Sequence, residues 1–123
     1  MAKAAKIRRP PSRAQIERRL KRPRLFSDLK AALRKEFGPR FQGLVLYGSQ
    51  ARGEATAESD VDLLVLLSGP FNHGRDSSTA IRATSDLNVE CEAPLMPIVA
   101  PAQQYKKGER SFYRSVQEDG RWI

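Results

Sequence analysis

Two short apolar runs sit near the middle of the chain, Leu44 to Tyr47 and Val61 to Leu67, with a small polar and charged insert between them. Runs of that length, rich in Val and Leu and bounded by Gly and Ser, predict strands buried on both faces. Upstream, Leu25, Leu29, Ala32, Leu33 and Phe37 recur at helical spacing, and Gly38-Pro39 ends the helix they predict. Downstream, the residues from Ser68 to Ser78 read as a loop. Asp76 or Ser77 then caps a helix from about Ser78 to Leu87, with Ala80, Ile81, Thr84 and Leu87 inward. From Asn88 to Ala93 the pattern alternates and predicts a strand, with Asn88, Glu90 and Glu92 on one face and Val89, Cys91 and Ala93 on the other. Pro94 and Pro97 forbid a regular central strand beyond it and leave a bent edge segment. Pro101 opens a turn or short helix through Tyr105. Ser111 caps a last helix that offers Phe112, Tyr113 and Val116 for packing, Gly120 stops it, and Trp122 closes over the core.

The first residues follow another pattern. Met1 to Ser12 has no periodicity and runs into Pro10-Pro11, as a solvated tail does. Ser12 can cap a short helix to about Lys21, limited by Pro23 and carrying only Ile16 and Leu20 as large apolar residues. The reading is therefore a basic leader over residues 1–24, part tail and part short helix, and a domain over residues 25–123. Removing the leader is expected to leave the core folded.

Charge sharpens that division. Up to Arg40 there are 14 Lys and Arg against 3 acids, and beyond it 8 against 11, so the net charge of +8 belongs to the leader end. Such a segment can touch nucleic acid non-specifically, an acidic partner or only water. It has no aromatic residue before Phe26, which argues against base stacking. With 123 residues there is room for one domain with a modest core. No apolar run is long enough to span a bilayer, and no signal-peptide pattern opens the chain, so the expectation is a cytoplasmic protein with no membrane contact. Cys91 is the one cysteine, which excludes an internal disulfide, and no Cys/His cluster suggests zinc. His73 stands alone as a surface residue, and Cys91 reads as a small core residue.

Candidate chemistry lies where the two central runs meet the insert. Gly48-Ser49 ends the first run in a sharp turn, and Ser49 to Arg52 can open a helix, leaving free N–H groups where a phosphate could sit. Asp60 and Asp62 open the second run two residues apart, so both carboxylates share a face beside the apolar Val61. Two such carboxylates repel one another unless a cation lies between them, and Mg²⁺ favours a few carboxylates plus phosphate oxygens and water. Arg52 either reaches the phosphates or pairs with Glu54 or another acid.

Gly48-Ser49-x-Ala51-Arg52-Gly53-Glu54-Ala55 followed by Ser59-Asp60-x-Asp62-Leu63 resembles the signature of the polymerase-beta-like nucleotidyltransferases, in particular the minimal nucleotidyltransferase branch. Leu95 to Val99 and the serine-led final helix also look like that branch, so the resemblance spans about Leu25 to Ile123. It implies an α/β (α+β) fold, a small mixed sheet with helices packed on one side. It implies attack of a hydroxyl on the α-phosphorus of a nucleoside triphosphate, ATP above all. Gly48, Ser49 and Arg52 would hold the phosphates, and Asp60, Asp62 and a third carboxylate would bind Mg²⁺ or Mn²⁺. In the family that third acid comes from a strand beside the Asp-x-Asp strand. Glu92 is the choice here and Glu90 the reserve, although the family more often has Asp.

The resemblance also bears on the acceptor. Too few residues follow Ile98 to build the acceptor-holding domain of larger relatives. Minimal nucleotidyltransferases often act with a helical HEPN-type protein as the antitoxin of a toxin–antitoxin pair, adding AMP to a tyrosine of the toxin. Two alternatives stand beside that expectation. One is an enzyme that modifies a small molecule such as an aminoglycoside, helped by a homo-oligomer; the other is an inactive binding module that neutralises a partner.

Overall fold

The computed structural model describes residues 9–56 and 59–123; the first eight residues of the tail expected over Met1 to Ser12 lie outside them. Two of the sequence expectations carry the sheet. The first apolar run becomes β1 (Phe41–Tyr47) and the second β2 (Val61–Leu67), antiparallel to each other, with Tyr47 opposite Asp62. Between them Gly48–Arg52 forms the short helix α3. The amphipathic run upstream is helix α2 (Leu25–Phe37), with Leu25, Phe26, Leu29, Leu33 and Phe37 buried. Ahead of it, Ser12 caps helix α1 (Arg13–Arg19) in a reciprocal capping box with Gln15.

The next two elements differ from the expected pattern. Helix α4 runs His73–Glu90, beginning five residues earlier and ending three later than the periodicity predicts, and Asn72 caps it through Arg75 N–H. Asp76 serves a different purpose: it is buried in the first turn and takes two hydrogen bonds from Arg40. Ile81 lies 56% exposed rather than inward. Residues Asn88 to Glu90 end this helix, so the strand expected over Asn88 to Ala93 does not form. Val89 is 86% exposed, and the alternation there has no buried face to record.

The third strand is instead β3 (Leu95–Pro101), the segment that Pro94 and Pro97 had relegated to a bend. It pairs parallel to β2, Leu95 opposite Val61 and Met96 opposite Asp62, with α4 as the crossover. The sheet order is β3-β2-β1-β4, where β4 is the two-residue strand Arg121–Trp122. Being at the edge, β3 tolerates Pro97, because half of its N–H groups have no ladder partner in any case.

Side chains alternate across this sheet. Leu44, Leu46, Val61, Leu63, Val65, Leu67, Leu95 and Val99 face α2 and α4 in the larger core. Ile16 and Leu20 of the α1 region are buried in that same core at 0% and 2% exposure. Residues 12–22 thus pack as part of the folded body, although the sequence pattern places a boundary at Leu25. Val45, Leu64, Leu66 and Ala100 face the other way, against α5 (Ala102–Lys107) and α6 (Ser111–Asp119). The mixed α/β sheet is as expected, with α1, α2 and α4 on one side and α5 and α6 covering part of the other. Arg110, not Ser111, takes the N-cap position of α6, with no side-chain cap bond. Trp122 stays 53% exposed, laid over Gly43, while Ile123 is the buried terminal residue.

Candidate active site

The site is built where β1 turns into α3 beside the start of β2. Gly48 has φ +76°, a conformation that costs other residues energy. A Cβ at that position would collide with the Asp62 carboxylate. Gly48 is therefore required twice, by its backbone angle and by the closeness of an acid. The α3 helix that follows is five residues long, closes on Gly53 at φ +79°, and has no side-chain cap at its N-terminus. Its first amides lack intrahelical acceptors. Ser49 stands there half-buried, next to fully buried Gln50.

Asp62 is half-buried on β2, and Asp60 is exposed one residue before the strand begins. The Asp62 carboxyl is held above its ordinary value, first by burial and then by the charge of Asp60, with Arg52 opposing both. The Asp60 contribution is the repulsion expected between neighbouring acids. Tyr47, opposite Asp62, was not singled out from sequence. Burial and the Asp62 charge push its hydroxyl up to about 12, so it stays protonated at neutral pH. Its ring meets Phe112 edge-on, with centroids 5.7 Å apart.

Neither glutamate stands on the strand beside β2. Glu90 ends α4 and pairs with Arg22 at 2.7 Å. Glu92 lies in the connection to β3, exposed, with its N–H bonded to the Leu20 carbonyl. On β3 itself the residue paired with Asp62 is Met96, and Ile98 follows it on the same face. Among the described residues no three His, Cys, Asp or Glu side chains gather as a metal-ligand group. The expectation of a triad of Asp60, Asp62 and Glu92 rested on the strand Asn88 to Ala93, and it falls with that strand.

The remaining candidates sort clearly. Arg52 binds Glu54 at 2.8 Å and Asp119 of α6 at 2.9 Å, and its charge still reaches Asp62. His73 opens α4, exposed, its ring against Phe71. Cys91 is half-buried against the larger core and burial pushes its thiol up, which suits packing rather than nucleophilic attack. No helix among the described residues is long and apolar enough to cross a membrane.

Two carboxylates close in sequence, with a glycine turn against Asp62, make a hard-oxygen donor set. That set fits one Mg²⁺ or Mn²⁺ ion completing its shell with phosphate oxygens and water. Among the described residues it is a two-carboxylate set, with no third acid gathered beside it.

A family model described as "Nucleotidyltransferase domain" matches residues 27–123, which contain the glycine turn and both aspartates. The chain belongs to the nucleotidyltransferases. Its sheet and signature residues place it with the polymerase-beta-like, minimal branch of that family. This nucleotidyltransferase is also 32% identical over 91 residues to a Methanocaldococcus jannaschii protein named "Putative protein adenylyltransferase", covering 73% of the present chain and 85% of that relative. The family model starts at residue 27, so α1 lies ahead of the region it matches.

Proposed function

We propose that this nucleotidyltransferase moves AMP from ATP to a hydroxyl of a partner protein. The observation that carries the reading is the contact between Gly48 and the Asp62 carboxylate, which joins the phosphate-type turn and the acid pair into one site. In this reading the first amides of α3 and the Ser49 hydroxyl hold the triphosphate, and Asp60 and Asp62 bind Mg²⁺ or Mn²⁺. When bound, that ion would neutralise charge on the triphosphate and its leaving group. The acceptor oxygen bonds to the α-phosphorus, the bond to the pyrophosphate oxygen breaks, and the hydroxyl proton passes to water. Arg52 would have to leave Glu54 or Asp119 to take part, and Glu92 carries no role.

A protein acceptor is supported by what the relative's name says of that relative and by the minimal-family resemblance. The reading extends to a helical HEPN-type partner in a toxin–antitoxin pair. Beside Asp62 the sheet presents Met96 and Ile98, and α6 presents Phe112, each at least 40% exposed and suited to apolar contact with such a partner. The deciding experiment incubates the protein with labelled ATP, Mg²⁺ and the helical protein encoded beside it, and locates the label by mass spectrometry. AMP on a partner hydroxyl, lost in Asp60→Asn and Asp62→Asn, is the expected result. Label on an aminoglycoside instead would favour a small-molecule acceptor. Partner neutralisation that survives both substitutions would favour a binding module.

A further inference from the structure

Helix α1 precedes the region matched to the family, yet it is bonded to Gln50, which links the two halves of the site. Arg19, exposed on its last turn, donates from Nη2 to Oε1 of Gln50. Gln50 is 1% exposed, directly follows Ser49, and donates from Nε2 to the carbonyl of Ser59 at 3.4 Å. Ser59 in turn directly precedes Asp60. A single side chain thus spans from the glycine turn to the acid pair, and its other polar end is held by α1.

Further contacts fix α1 at this place. The Leu20 carbonyl takes the Glu92 N–H at 3.2 Å. Pro11, just ahead of the helix, lies 3.1 Å from where a Cβ on Gly53 would stand, and its carbonyl accepts from Arg121. Ile16 and Leu20 anchor the helix from beneath. Between α1 and the site, Arg19, Gln50, Thr56 and Glu92 line a cleft of about 210 Å³.

We infer that Arg19 and Gln50 are positioning residues for nucleotide binding, and that α1 is a working part of the nucleotide site. The physical reason is the cost of leaving Gln50 unpaired. Without Arg19 its buried Oε1 must find water or rotate, and rotation breaks the bond to Ser59. The turn and Asp60 then drift relative to one another, and displacements near 1 Å at such sites cost about 10²-fold. Because Arg19 is exposed and contributes no core packing, its removal tests position separately from folding.

The inference rests on the nucleotidyl-transfer reading, so its test has one arm that does not. In the full chain, Arg19→Ala, Arg19→Lys and Gln50→Met are compared with the unsubstituted protein for Mg·ATP affinity by calorimetry, for turnover, and for amide exchange across residues 48–62. For Arg19→Ala we expect at least tenfold weaker ATP binding, faster exchange confined to residues 48–62, and a melting temperature close to that of the parent. Arg19→Lys, keeping one donor, should recover part of the affinity, and added guanidinium should restore part of it to Arg19→Ala. Gln50→Met should match Arg19→Ala in affinity and exchange, even where its melting temperature falls. Unchanged ATP affinity in Arg19→Ala overturns the inference, whatever its exchange shows. An unsubstituted protein that binds no ATP defeats the functional reading. The exchange arm then decides the brace alone, and unaltered exchange overturns it.

Discussion

Gly48 is the residue on which the site depends most. Gly48→Ala imposes a Cβ on a backbone with positive φ and on the Asp62 carboxylate at once. The expected cost is about 1–3 kcal/mol of stability, read by denaturant titration, with loss of ATP binding far beyond what that destabilisation explains. A second residue-scale prediction concerns Asp76, nearly fully buried beneath Arg40. The Arg40 guanidinium holds its carboxyl below the usual value of 3.8. Its stabilising contribution is therefore complete above that value and is lost as pH falls through the depressed one. Asp76→Asn should flatten the acid limb of a stability–pH profile below about pH 4. Arg40→Ala should cost about 3 kcal/mol at neutral pH by stranding a buried charge. The Gly-Ser and Asp-x-Asp residues were legible from sequence because local chemistry alone demands them. Tyr47, Gln50 and Arg40 were not, since what distinguishes each is a partner remote in sequence.

At the level of elements, α2, β1, α3 and β2 follow from periodicity, caps and breakers that lie within each segment. The errors cluster at α4 and β3, where local signals conflict with tertiary position. Alternation from Asn88 to Ala93 imitates a strand, yet one face has nothing to pack on and the helix continues to Glu90. Prolines argue against a strand at Leu95–Pro101, yet an edge position beside β2 accepts them. Placing Glu92 in a metal triad followed from that displaced strand, so Glu92→Gln should keep transfer within about threefold, a small change on the free-energy scale. The α1 region gives an opposite expectation. Burial of Ile16 and Leu20 means that deleting residues 1–24 removes two core side chains, each contributing roughly 1.5–3 kcal/mol. Truncation should lower the urea midpoint clearly, contrary to what the sparse apolar pattern of that segment suggests.

Over the whole molecule, the catalytic signature sits where β1 ends and β2 begins, on a sheet whose one face is partly covered by α5 and α6 and leaves Met96, Ile98 and Phe112 exposed. An incoming chain must therefore meet side chains there. It cannot extend the sheet easily, because of how the sheet ends. One margin is β3, punctuated by Pro97 and Pro101 and preceded by Pro94; the other is β4, only two residues long. Neither offers an uninterrupted row of amides and carbonyls for another strand to copy. The same prolines that obscure β3 in the sequence thus give the protein colloidal protection. Concentrated solutions should resist growth of cross-strand fibres, and Pro97→Val, which restores a donor to the margin, should shorten the lag of any such growth in a dye-binding assay.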